Sequence, residues 1–127
     1  MQDSLRNFKA EFFKALSHPA RIKTLELLQA GELSVTDLQE RLGIESSSVS
    51  QQLSILRYKN IVESRKAGTT VYYRIRDPEI FELLDVASRI FNNQLLVTRS
   101  TLEQLEEENT GNAQDIDVKR ASPISVS

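Results

Sequence analysis

The chain has no cysteine and a single histidine, His18, among its 127 residues. Without cysteine there is no disulfide framework, no thiolate metal site and no thiol redox switch. One histidine is too few for an all-histidine metal centre. No apolar run approaches the length of a membrane span, and the opening MQDSLRNFKAEFF lacks a signal-peptide core. The expectation is a soluble, cytoplasmic protein with no membrane partner. Also missing are a nucleophile–base pair, a Gly-rich phosphate loop and a metal constellation. The sequence therefore offers no candidate for an enzyme active site and none for a cofactor.

What is present is uneven. The net charge is −2, but residues 1–40 carry −1, residues 41–76 carry +5 and residues 77–127 carry −6. The middle third is a basic island made by Arg41, Arg57, Lys59, Arg65, Lys66, Arg74 and Arg76. Such an island suits a nucleic-acid surface, although charge clusters are also common on plain solvated faces. The acidic run Glu103, Glu106, Glu107 and Glu108 reads as a solvated helix end.

Apolar spacing lays out the elements. Leu5, Phe8, Phe12 or Phe13, and Leu16 mark a first helix over residues 4–16. Pro19 suits the first turn of a second helix, carried by Ile22, Leu25, Leu27 and Leu28 to Gly31, with His18 before it as a cap or packing group rather than a pH sensor. Ser34 and Asp37 open a short third helix as an approximate capping box, and Gly43 closes it. A fourth helix follows the turn at residues 44–47 and runs to Tyr58 or Asn60. The period then changes. Residues 61–65 and 70–75 read as strands, with Lys66-Ala67-Gly68-Thr69 between them. Asp77 and Pro78 cap and start a long last helix that ends near Glu107 or Glu108. Residues 1–108 thus make one domain, and residues 109–127 read as a disordered tail. The predicted fold is mainly α with a small β-hairpin, a winged helix-turn-helix in the order α-α-α-α-β-β-α that dimerises through its terminal helices.

The fourth helix carries the functional signal. Its segment SSSVSQQLSIL opens with three serines and carries two glutamines on a side that buries almost nothing. Val49, Leu53 and Leu56 fall on one stripe, whereas Ser47, Ser50, Gln51, Ser54 and Tyr58 fall opposite. A purely structural helix face more often shows Lys and Glu. Short hydrogen-bonding side chains at the start of such a helix suit base edges in a major groove: Gln pairs with adenine, and Ser accepts or donates. Arg57 and Lys59 lie at the far end, within reach of phosphates. Arg65, Lys66 and Arg74 decorate the hairpin, which has Gly68 at its tip, and Thr69 beside it is a further DNA-binding candidate. The plainer alternative is a cluster of N-cap serines beside inert surface glutamines. A winged helix can also serve as a protein–protein interaction module, for which Tyr58 is the exposed aromatic candidate.

The last helix carries more apolar surface than one-sided packing needs. Phe81, Leu84, Ile90, Phe91 and Leu95, with Phe8 and Phe12 of the first helix beside them, are candidates for a homodimer interface. A pocket for an apolar effector is the alternative there.

Together FFKALSHPARIKTLELL, ELSVTDLQERLGIESSSVSQQLSILRYKNIV and the wing GTTVYYRI resemble the ArsR/SmtB family of bacterial winged-helix repressors. The resemblance covers about residues 8–100. It implies a homodimer that binds double-stranded operator DNA until an inducer loosens it, and it places DNA-reading positions at Ser46, Ser47, Ser50 and Gln51. Ser34 and Thr36 stand where many members have a Cys-x-Cys metal site, and hydroxyls are poor ligands for soft ions. The last helix has Glu79, Glu82 and Asp85 but no histidine, so the family's other zinc site also lacks its usual ligands. No metal site is therefore expected. A small-molecule inducer, a partner protein or no signal at all remain as alternatives. Asn60 replaces a frequent family glycine, and Asn tolerates the left-handed backbone.

Overall fold

Several helix boundaries in the chain follow from caps. The computed structural model describes residues 1–111. Its elements are α1 (Gln2–Leu16), α2 (Pro19–Leu28), β1 (Leu33–Ser34), α3 (Val35–Leu42), α4 (Ser46–Tyr58), β2 (Val62–Ala67), β3 (Thr70–Ile75) and α5 (Glu79–Gly111). They fall into two units, Met1–Glu82 and Leu83–Ser127.

In the first unit, α1 gives way to α2 where His18 takes an extended backbone. The His18 Nδ1 accepts the Ala20 N–H at 3.1 Å, and Pro19 follows at the first helical position. The lone histidine is thus a helix cap, as expected. Ser34 caps α3 by accepting the Asp37 N–H at 3.0 Å. Gly43, at φ 67°, ends α3 in the left-handed conformation that costs glycine nothing. After α4 the same problem is solved by Asn60 at φ 61°. The Ile61 N–H reaches the Leu56 carbonyl at 2.9 Å and the Asn60 N–H reaches Arg57 at 3.0 Å. That pair of bonds is a Schellman closure with asparagine in the glycine position.

The core of this unit lies where α2, α3 and α4 meet the base of β2. Leu25, Leu38, Val49, Leu53, Leu56 and Val62 are all essentially solvent-free. Each such side chain contributes roughly 1.5–3 kcal/mol of burial energy, so the helix-turn-helix pair is held from behind by its own leucines.

The hairpin differs from the sequence reading in two ways. First, its loop is shorter. Ala67 pairs with Thr70, so Lys66 and Ala67 belong to β2 and only Gly68 and Thr69 turn. Gly68 has φ 64°, the positive value that the first residue of a tight two-residue hairpin requires. Second, there is a third strand. Leu33 and Ser34 pair antiparallel with Tyr73 and Tyr72, giving a sheet of order β1-β3-β2. The observed order is α-α-β-α-α-β-β-α.

Asp77 Oδ1 accepts the Glu79 N–H at 3.1 Å and so starts α5 as expected. From Leu83 onward α5 constitutes the described part of the second unit. The helix continues through Gly111, three residues past the end expected from the sequence. The rest of the expected tail, residues 112–127, lies outside the described residues.

Candidate nucleic-acid interface

Helix α4 has two chemically distinct sides, and burial separates them. Val49, Leu53 and Leu56 are 1%, 2% and 0% exposed. Ser46, Ser47, Ser50, Gln51 and Ser54 are all exposed, and Tyr58 is 81% exposed. The N-cap is Glu45, and its side chain makes no capping bond. The serines therefore sit inside the first turn rather than at the cap, which removes the N-cap explanation for the leading one.

The second glutamine departs from the expected face. Gln52 is only 6% exposed. Its Oε1 accepts from Arg21 Nη1 at 2.8 Å, while Arg21 Nε donates to the Ala15 carbonyl at 2.6 Å. Arg21 thereby ties α4 to the end of α1 and the start of α2. Only Gln51 remains on the polar face. The signal for this was available: position 52 lies three residues after Val49 and four before Leu56, on the buried stripe.

The basic candidates divide into paired and unpaired groups. Arg57 and Lys66 are exposed and have no ion-pair partner among the described residues, and Thr69 is exposed at the wing tip. Lys59 Nζ lies 3.1 Å from Glu11 and 5.6 Å from the Tyr58 ring centre. The hydrogen bond to Lys59, its charge and that of Lys14 hold the Glu11 carboxyl below its ordinary pKa. Arg65 grips Glu32 with two bonds of 2.8 and 2.7 Å, and its guanidinium lies 4.6 Å above Tyr72. The Arg65 hydrogen bond, reinforced by the charges of Arg65 and Arg74, lowers the Glu32 pKa despite opposing desolvation. Arg74 directs both Nε and Nη2 to one oxygen of Glu63 at 2.7 Å. Sequence reading missed all three carboxylate partners, Glu11, Glu32 and Glu63.

Residues 18–64, which include the helix-turn-helix, match the model of the bacterial regulatory protein arsR family. Across 104 residues the chain is 44% identical to an uncharacterised HTH-type transcriptional regulator of Mycobacterium tuberculosis, covering 81% of this chain and 91% of that one. The chain belongs to the arsR family. It is a winged helix-turn-helix DNA-binding transcriptional regulator. The crystal structure of the transcriptional repressor BigR from Xylella fastidiosa aligns with TM-score 0.65 at 34% identity, over 71% of this chain and 92% of that one. A Mycobacterium bovis domain, described as a homodimeric winged helix-turn-helix DNA-binding domain, aligns with TM-score 0.67 at 29% identity, over 74% and 87%.

Within this arsR-family chain, Ser34, which the resemblance sets where many members have a cysteine, has a structural task. Ser34 is buried and spends its hydroxyl on the α3 cap. Among the described residues, no three His, Asp or Glu side chains gather closely enough to hold a metal ion. No described helix is long and apolar enough to cross a membrane.

The dimer candidates are unevenly exposed. On α1, Phe8 is 61% exposed and stacks on half-buried Phe12, with ring centres 5.8 Å apart. On α5, Ile90 and Phe91 are 52% and 53% exposed, while Phe81, Leu84 and Leu95 are half-buried.

Proposed function

We propose that the protein is a cytoplasmic, homodimeric repressor of transcription that binds an inverted-repeat operator. The observation that carries this reading is the exposed Ser46, Ser47, Ser50, Gln51 and Ser54 surface of α4, backed by a fully buried leucine stripe. Nothing in the packing of the first unit requires these side chains, and their groups match the donor and acceptor pattern of a major groove. Arg57 and Lys66 supply phosphate contacts from the end of α4 and from the wing. Lys59, Arg65, Thr69 and Arg74 flank them.

Dimerisation is assigned to apolar residues that one chain leaves exposed or half-buried: exposed Ile90 and Phe91 with half-buried Phe81, Leu84 and Leu95 on α5, and exposed Phe8 with half-buried Phe12 on α1. Exposed apolar side chains of this kind, on α5 and separately on α1, suit an association surface. Residues 1–108 would form the DNA-binding and dimerisation part. A homodimeric relative and relatives named as repressors support the same assembly and direction of control.

The test is selection of duplexes from a random-sequence library by the purified full chain at near-physiological salt. The expected product is a two-fold-symmetric motif with half-sites about 10–10.5 bp apart, or a multiple of that. It would also supply the operator for inducer screening. Failure to enrich any motif would sink the operator assignment and favour a protein partner for the winged helix.

A further inference from the structure

The wing meets DNA with its arginines already occupied. Glu63, Arg65 and Lys66 on β2 and Arg74 on β3 are its charged residues, and Glu32 reaches in from just before β1. Glu63 stands directly across from Arg74, and Arg65 across from Tyr72. Alternation along a strand puts residues 63 and 65 on one side of the sheet. The side chains of Glu32, Glu63, Arg65 and Arg74 accordingly line a single cleft together with Ser64.

The geometry of each pair resembles that of a phosphate contact. Glu32 takes Nε and Nη2 of Arg65, the guanidinium edge best suited to two parallel bonds with an oxyanion. Tyr72 lies against the flat face of the same group. Glu63 takes the equivalent edge of Arg74. A DNA phosphate approaching the wing would seek those two edges. The pairs are also displaceable: the Arg65 and Arg74 side chains are 57% and 65% exposed, and solvent-exposed ion pairs hold weakly.

We propose that Glu32 and Glu63 act as built-in phosphate mimics, which DNA must displace before Arg65 and Arg74 can anchor the wing. This inference rests on the DNA-binding reading above. Its consequence is a wing whose unpaired charge in the uncomplexed protein is that of Lys66. The two carboxylates weaken attraction to phosphate wherever the wing touches it, so they set how steeply binding depends on salt.

The experiment compares wild type, Glu32→Gln, Arg65→Gln and the double variant, as full chains. Each is titrated onto the selected operator and onto a scrambled duplex of equal length. Releasing one more arginine to phosphate steepens the salt slope by about 0.9, so lowering salt from about 200 to about 50 mM should strengthen Glu32→Gln about 3.5-fold more than wild type. In the Arg65→Gln background the Glu32→Gln change should have no further effect. Glu63→Gln, paired with Arg74→Gln, repeats the cycle on an independent pair and keeps the test valid should Glu32→Gln fold poorly by circular dichroism.

An unchanged salt slope in both cycles overturns the proposal. So does an equal gain in the Arg65→Gln background, which would be a general charge effect, or a loss of affinity, which would make the acids supports for the arginines. Absence of salt-dependent DNA binding by wild type itself would overturn the DNA reading and this inference with it.

Discussion

Gln51 and Gln52 are neighbours with opposite fates, and substituting each separately tests the orientation of α4. The perturbation is Gln52→Ala. It removes the acceptor of the 2.8 Å bond from Arg21 Nη1 at a site 6% exposed. A hydrogen bond to a charged group is worth about 1.5–3 kcal/mol, and the stranded half-buried donor makes the upper part of that range the expectation. Among the described residues no buried side-chain polar atom lacks a partner, so this substitution would create a defect of a kind otherwise absent there. For a domain of this size the melting temperature should fall by roughly 10 °C. Gln52→Leu keeps the bulk and removes the acceptor, so it separates bonding from packing. Gln51→Ala, one residue earlier, should change stability by less than about 0.5 kcal/mol and alter base preference instead. Urea titration followed by circular dichroism reads the first effect, and repeated duplex selection reads the second. A Gln52→Ala variant as stable as wild type, or a destabilised Gln51→Ala variant, would refute the assignment of the two faces.

Three further outcomes are expected. Asn60→Ala should cost about 1–2 kcal/mol by calorimetry, because a β-carbon without a compensating side-chain bond is strained at φ 61°, whereas Asn60→Gly should be nearly neutral. Lys66→Ala should weaken operator and scrambled duplex alike and reduce the salt slope by about 1, since an unpaired wing lysine contacts phosphate rather than bases. The Glu32 carboxyl should titrate below the ordinary glutamate value of 4.5, held down by Arg65. Its folded pKa is depressed, so the pair's contribution is complete above the unfolded value and disappears as pH falls through the lowered one. Carbon-detected NMR should show the titration midpoint move back up in Arg65→Gln.

Local chemistry made much of the fold readable. The caps at His18, Ser34 and Asp77 and the left-handed closures at Gly43 and Asn60 depend on residues within a few positions of each other. The faces of α4 follow from helical period alone, apart from Gln52, which a stricter use of the same period places correctly. Strand β1 was invisible because two residues show no alternation; Leu33 and Ser34 are a strand only because Tyr73 and Tyr72 lie beside them. The pairing of Arg65 with Glu32 spans 33 residues, and that of Lys59 with Glu11 spans 48. No local pattern encodes such partners. The Glu63–Arg74 pair lay within reach, but only with the correct two-residue loop; the longer loop expected from the sequence shifts the register by two and puts other residues opposite. Basic residues were therefore identifiable from the sequence, whereas the state in which each is held was not.

Ser34 belongs to two elements at once. Its backbone is paired in the sheet opposite Tyr72, and its hydroxyl closes the first turn of α3. The wing and the helix-turn-helix are accordingly fastened at a shared rivet rather than hinged through a slack linker. Detaching β3 from β1 also disturbs the residue that holds the start of α3, so strand and helix should open as one cooperative unit. In hydrogen exchange, the Asp37 amide and the amides of β3 should report a common opening free energy, and the wing would not fray alone.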